Sequence, residues 1–267
     1  MKCVVLCAGY GTRLQKGVQG DSSGKYKNLL GLSKPLLPLG GIPLLSIWIR
    51  LLLETEKFTL EDIFLVCNEF FYKQFIDWAR ETGFPIANII NDGTTTNEGR
   101  LGAVKDMELV LSGQAIEEPV VIIGGDTLFF RDFSLTDVID TFEKRDQSLV
   151  LWYKDEMTAR TGIIETDDKD LVCNFLEKPQ PHETGSRKAC PCFYLLTTRA
   201  IKILKDYVGA ASSLAEVDAT GQFIKYLFPR EPVYAYPISG RFDIGALDSY
   251  IVANDYFQEL FSSEKKS

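Results

Sequence analysis

Histidine is nearly absent: His182 is the only one among 267 residues. That excludes histidine-rich metal centres and leaves any Ser–His or Cys–His enzyme resting on a single residue. His182 lies in Pro-Gln-Pro-His-Glu, which reads as a solvated loop. No Cys-x-x-Cys occurs among the six cysteines at 3, 7, 67, 173, 190 and 192. In a chain able to build its own core, scattered cysteines point to reduced thiols and a cytoplasmic setting rather than a disulfide frame. No apolar run approaches the roughly 20 residues that span a bilayer. The opening Met1–Ala8 segment resembles a signal peptide only briefly, and a buried strand is the better reading. Basic residues are outnumbered, 29 against 37 acidic, for a net charge of −8 and a pI near 4.9. A nucleic-acid polymer or an anionic membrane needs a basic face, so both are poor partners. Internal repeats are missing too, including any hexapeptide β-helix pattern.

What is present is ordinary globular composition, 45% apolar and 25% charged. Strands are expected at Lys2–Ala8, Ile63–Cys67, Ile86–Ile90, Pro119–Ile123 and Ser148–Tyr153. Helices alternate with them at Leu44–Glu54, Phe70–Arg80, Arg100–Leu111 and after Ser134. This alternation is the signature of a mostly parallel, Rossmann-like α/β sheet with helices on both faces. Short strands at Gly162–Glu165, Leu171–Leu176 and Cys190–Leu196 form a small antiparallel addition. Helices at Arg199–Val208 and Ala219–Phe228, a strand at Val233–Tyr236 and a helix from Leu247 to about Phe261 follow. A polar tail, 262–267, is expected to fray. The whole reads as one domain, 1–267, with a core in 1–153 and a second part in 154–267.

The most informative segment is Ala8-Gly9-Tyr10-Gly11-Thr12-Arg13-Leu14 after the first strand. Glycines at a strand's end let backbone N–H groups approach phosphate oxygens. The dinucleotide fingerprint fails, because its third glycine position is Leu14. A Walker A loop fails as well: Gly24-Lys25 is followed by Tyr26, and the required upstream glycine is Gln19. Gly20-Asp21-Ser22-Ser23-Gly24 spells a nucleophile elbow but lacks the apolar strand that must precede it. What remains is either a phosphate loop carrying an arginine fork or a glycine-rich connector with a surface arginine.

Two aspartates suit a cation. Asp126 follows Val120–Ile123 and two glycines, at the strand end where open α/β sheets place ligands. Asp243 follows another strand, in Phe242-Asp243-Ile244-Gly245. One or two carboxylates plus phosphate oxygens and water suffice to hold Mg²⁺. Both could equally be turn formers or helix caps.

The loop, with Lys34-Pro35-Leu36-Leu37-Pro38-Leu39-Gly40-Gly41-Ile42-Pro43-Leu44, resembles the signature of sugar-1-phosphate nucleotidyltransferases. The glucose-1-phosphate thymidylyltransferase-like branch is most similar. Gly124-Gly125-Asp126, Glu177-Lys178-Pro179 and Phe242-Asp243-Ile244-Gly245 then fall in that family's order, so the resemblance covers nearly the whole chain. It implies a nucleotide-binding core in 1–153, a sugar-binding part in 154–267, and Mg²⁺ on Asp126 and Asp243. It implies that Ala8, Gly9, Gly11, Thr12, Arg13, Lys34, Asn91 and Gly102 bind a nucleoside triphosphate. Gly162, Glu177, Lys178 and Asp218 would meet a sugar 1-phosphate. Asp218 could instead cap the Ala219–Phe228 helix. Arg13, Lys34, Asp126, Lys178 and Asp243 would carry catalysis, and the family commonly forms homo-oligomers. Gly-Arg-Leu-Gly-Ala-Val-Lys at 99–105 departs from the branch's usual base-binding stretch, which leaves the nucleobase open.

The implied reaction joins an NTP and a sugar 1-phosphate into an NDP-sugar and pyrophosphate. Its nucleophile is already anionic, so a chain with one histidine can catalyse it by positioning and charge neutralisation. Two other readings compete: a CTP-dependent cytidylyltransferase for phosphocholine or a phosphonate, and a catalytically silent nucleotide-sugar-binding subunit. The Gly17–Asn28 stretch, with Lys25 and Lys27, is expected to be either a mobile lid or an ordinary surface loop.

Overall fold

In the computed structural model, which describes residues 1–264, the first strand β1 (Lys2–Leu6) buries Cys3, Val4 and Val5 completely. Burial on both faces is what a continuous apolar run means in a parallel sheet. The chain continues through α1 (Thr12–Gly20), the short pair β2 (Pro38–Leu39) and β3 (Ile42–Pro43), then α2 (Leu44–Glu54). Next come β4 (Ile63–Cys67), α3 (Glu69–Thr82), β5 (Ile89–Asn91), α4 (Ala103–Gly113), β6 (Val120–Gly124) and β7 (Thr127–Phe129). Helix α5 (Leu135–Arg145) leads to β8 (Ser148–Lys154), β9 (Gly162–Thr166), β10 (Val172–Glu177), β11 (Lys188–Cys190) and β12 (Phe193–Leu196). Helices α6 (Thr198–Ala210), α7 (Leu214–Val217) and α8 (Thr220–Leu227) precede β13 (Val233–Pro237), β14 (Arg241–Asp243) and α9 (Leu247–Glu264).

One ten-stranded sheet runs β10-β9-β11-β8-β12-β6-β1-β4-β5, with β13 alongside β8. Strands β6, β1, β4 and β5 are mutually parallel, and β13 is parallel to β8. Strand β12, from the second part of the chain, inserts antiparallel between β6 and β8 of the first. Successive side chains feed opposite faces. Val5, Leu65 and Ile123 join a core with Trp48 and Phe75, while Val4, Val66 and Ile122 join one with Met107 and Phe223. The architecture is the mostly parallel α/β sheet with an antiparallel addition that the sequence implied. No helix among the described residues is long and apolar enough to cross a membrane.

Three local differences from the sequence reading have physical causes. The polar stretch after Gly9 contains a helix, α1, because Leu14 and Val18 lie four apart and bury one stripe. Gly17 brings that helix against α9: a Cβ there would stand 3.1 Å from the Cβ of Leu247. Gln15 ties the following segment down, with Nε2 donating to Leu29 O at 3.3 Å and Leu32 O at 3.1 Å. The single strand expected at Cys190–Leu196 is two, since Pro191 has no N–H for the ladder. The last helix reaches Glu264, so the expected frayed tail is helical from 262 to 264, and 265–267 lie outside the described residues.

Candidate active site

The carboxyl ends of β1 and β6 open onto a cavity of about 380 Å³. Ala8, Gly9, Arg13, Lys34, Asp126, Gly162, Glu177, Lys178, Asp218 and Asp243 all line it. Those segments are brought together from every part of the sequence, as the strand-end rule for open sheets requires.

The floor is built by close backbone approach. Gly125 N donates to Leu6 O at 3.0 Å, and a Cβ on Gly125 would stand 2.6 Å from that same oxygen. Only glycine lets the chain turn here and deliver Asp126 to the strand end. Asp126 and Asp243 sit on neighbouring segments. Ile244 N donates to Asp126 O at 2.9 Å, and Asp243 pairs with Thr127 in the two-stranded β7–β14 ribbon. That ribbon was not legible in the sequence, although it sets the two aspartates side by side.

Cations surround the pair. Lys34 Nζ donates to Asp126 Oδ2 at 2.9 Å. The Lys34 stem passes over Gly11, where φ is +63° and a Cβ would stand 3.4 Å from Lys34 Cγ. Gly11 also caps α1 without a side-chain bond, so the first N–H groups of that helix stay open to an anion. A Cβ on Gly245 would stand 3.2 Å from both Arg13 Nη2 and Asp243 Oδ1, which puts guanidinium and carboxylate around one glycine. Burial alone would raise the Asp126 carboxyl, but the Lys34 ammonium and then Arg241 outweigh it and hold it below the ordinary carboxylate range.

Arg241 was missed in the sequence. It donates to Tyr153 Oη at 3.1 Å and Thr127 Oγ1 at 2.9 Å and lines the cavity. A readable signal existed, because Arg-Phe-Asp in a strand puts Arg241 and Asp243 on one face. Arg160, also in the lining, carried none.

The opposite end is polar and tightly packed. Lys178 adopts φ +50°, a left-handed conformation that costs about 1 kcal/mol for a non-glycine residue. Its Nζ lies 3.5 Å from Glu177 Oε1. Gly162 packs under Phe175, whose Cζ would stand 2.3 Å from a Cβ there. Asp218 is not the helix cap, which is Ala219; instead it takes a two-pronged contact from Arg100, at 2.7 and 3.0 Å. Asp106 of α4, unremarked in the sequence, completes this wall.

Gly11, Thr12, Asn91 and Gly102 are not among the lining residues. Gly11 and Thr12 begin α1. Asn91, at the end of β5, donates to Glu69 and accepts from Gly93 N. Gly102 has φ +96°, and a Cβ there would stand 2.7 Å from Val217 O, so its glycine serves the α4–α7 contact. His182 is exposed and outside the lining.

The chain is similar to several known proteins. A bifunctional protein GlmU from Methanococcus maripaludis is 25% identical over 96% of this chain and 54% of its own length. A glucose-1-phosphate adenylyltransferase from Clostridium novyi is 26% identical over 61% of this chain and 43% of its own. The chain thus spans about half the length of the curated relatives it matches. Among solved structures, a UDP-glucose pyrophosphorylase superposes with a TM-score of 0.72 at 18% identity, covering 97% of this chain and 98% of that one. A protein assigned as a glucose-1-phosphate thymidylyltransferase from Bacillus anthracis superposes with the same TM-score, 0.72, at 17% identity, covering 97% and 96%. Residues 26–259 match the nucleotidyl transferase family, a stretch that holds Lys34, Asp126, Lys178 and Asp243 and begins after the Gly9–Arg13 loop. With most of its length in that match, the chain belongs to the nucleotidyl transferase family.

Proposed function

We propose that this chain transfers a nucleotidyl group from an NTP to a sugar 1-phosphate, releasing pyrophosphate. One observation carries the reading: Arg13, Lys34, Asp126, Lys178 and Asp243 line a single cavity at the strand ends. The named activities of the relatives, GlmU aside, are all sugar-phosphate nucleotidyl transfers and support the same class of substrate.

In this account a phosphate oxygen of the sugar 1-phosphate attacks the α-phosphorus in line. One O–P bond forms, the bond to pyrophosphate breaks, and no proton need move. The two substrates together carry about six negative charges, and juxtaposing them costs several kcal/mol unless cations intervene. Arg13, Lys34 and the open N–H groups of α1 would hold the triphosphate, with Arg241 behind them. Lys178 would hold the sugar phosphate, while Glu177, Asp218 and the backbone at Gly162 orient the sugar.

The cavity's five basic side chains, Arg13, Lys34, Arg160, Lys178 and Arg241, are matched by five acidic ones. The protein alone therefore supplies little net positive charge, and a divalent cation fits that deficit. Asp126, in the turn before β7, and Asp243, at the end of β14, are hard oxygen donors on neighbouring segments, and Mg²⁺ is suited to two carboxylates. Among the described residues no third His, Cys, Asp or Glu joins them, so phosphate oxygens and water would complete the shell. When bound there, Mg²⁺ would neutralise charge on the phosphates.

The test is pyrophosphate release from a matrix of the common NTPs and sugar 1-phosphates with Mg²⁺. Release that requires both substrates is expected. Release with CTP and phosphocholine but no sugar phosphate, or nucleotide binding without turnover, would contradict the proposal.

A further inference from the structure

Asp106 is 6% exposed, yet its Oδ1 has no hydrogen-bond partner among the described residues. It lines the same cavity as Asp126, on the wall away from the paired cations. An unpartnered buried carboxyl oxygen is costly, and native structures rarely keep one without a ligand or water to satisfy it. Nothing in the mechanism above uses it.

Its surroundings decide what could satisfy it. Asp106 lies in the first turn of α4, whose Ala103 N donates to Asp218 O at 3.2 Å. The wall continues through Asp218 into α8, where a Cβ on Gly221 would stand 3.0 Å from Glu177 Oε2. Asp106, Asp218 and Glu177 thus share the end of the cavity that also holds Gly162. Arg100 is engaged by both oxygens of Asp218, and Lys178 Nζ lies 3.5 Å from Glu177 Oε1. The unpartnered Oδ1 of Asp106 is an acceptor site on this wall, so the ligand group that satisfies it is a donor.

We propose that Asp106 is a specificity-determining residue whose Oδ1 accepts a hydrogen bond from a donor on the carbohydrate part of the acceptor substrate. This rests on the sugar-phosphate reading above. The donor can be a hydroxyl or an ammonium, and the two differ in what they require of the carboxyl. Burial first, then Asp92 and Asp218, push the Asp106 carboxyl up to about 8. Near neutral pH it is therefore largely protonated, which suits a hydroxyl; an ammonium would demand the carboxylate. An amide is isosteric with the neutral acid and can still accept, whereas leucine cannot.

The experiment measures steady-state kinetics of wild type, Asp106→Asn and Asp106→Leu with Mg²⁺ and each common NTP. The acceptors are glucose 1-phosphate and glucosamine 1-phosphate. For Asp106→Leu, the KM for the sugar phosphate is expected to rise at least tenfold, with the KM for NTP within twofold. Asp106→Asn keeps the sugar KM within about threefold if a hydroxyl is read, and loses tenfold with glucosamine 1-phosphate if an ammonium is. Either pattern supports the assignment. Unchanged sugar KM in both variants, or a rise confined to the NTP, overturns it. Wild-type protein that turns over no member of the sugar 1-phosphate matrix overturns the sugar-phosphate reading itself, and this inference falls with it; if it accepts another member, that one replaces glucose 1-phosphate in the comparison. If Asp106→Leu fails to fold, Asp106→Ala takes its place with the same tenfold rise in the sugar KM expected, and an unchanged sugar KM in that variant counts against the proposal.

Discussion

Two aspartates of one cavity meet opposite electrostatic fates. Asp126 stands at the end of β6 with Lys34 at 2.9 Å and Arg241 behind, and stays ionised below its ordinary range. Asp106 stands on α4 facing Asp92 and Asp218, with Oδ1 unpartnered, and is pushed up to about 8. Asp106 is 6% exposed while the Asp126 side chain is 40% exposed, so burial and the sign of the neighbouring charge separate them together. One end of the cavity is built to hold charge and the other to hold a neutral polar group, which matches a substrate pair with phosphates at one end and a sugar at the other.

The largest consequence is catalytic. Replacing Asp126 by Asn leaves the shape but removes the charge that would hold a cation and align Lys34. A loss of about 10²–10³ in kcat/KM for pyrophosphate release is expected, by analogy with removing one preorganised electrostatic contact. Activity within threefold of wild type would remove Asp126 from the chemistry and erase its contrast with Asp106.

The next consequence is a pH dependence of stability with opposite signs. A carboxyl lowered in the fold stabilises above its unfolded value and loses that contribution as pH falls, so Asp126 favours the fold on the neutral side. A carboxyl raised in the fold does the reverse. Asp106 favours the fold below its ordinary value of 3.8, and that contribution drains away as pH climbs to about 8. Asp106→Asn has no proton to lose. Urea unfolding is expected to give similar stabilities near pH 4 and a gain for the variant near pH 8. The gain is up to about 5 kcal/mol, at about 1.4 kcal/mol per pH unit of displacement. A stability difference flat across that range would mean that Asp106 titrates as an ordinary surface acid.

The two ends were not equally legible in the sequence. Asp126 announced itself: four β-branched residues, two glycines and a carboxylate describe a buried strand delivering a charge to its carboxyl end. Arg13 and Lys34 were legible through glycine spacing and a following proline. Asp106 was silent, because Val-Lys-Asp-Met on a helix is ordinary. Its burial depends on α7 and α8, which pack over α4 from the far end of the chain. The same distance hid the Arg100–Asp218 pair. It also hid a packing role for Gly102, which seats α4 under Val217 O. Strand periodicity and local turns can be read along a sequence; which helix covers which wall of a cavity cannot.

The central claim is that Asp126 and Asp243 act on one shared cation. Pyrophosphate release by Asp126→Asn, Asp243→Asn and the double variant tests it most directly. Groups that hold one ion act as a unit, so either single substitution should lower kcat/KM about as far as both together. Losses that multiply in the double variant, as independent sites require, would contradict the claim.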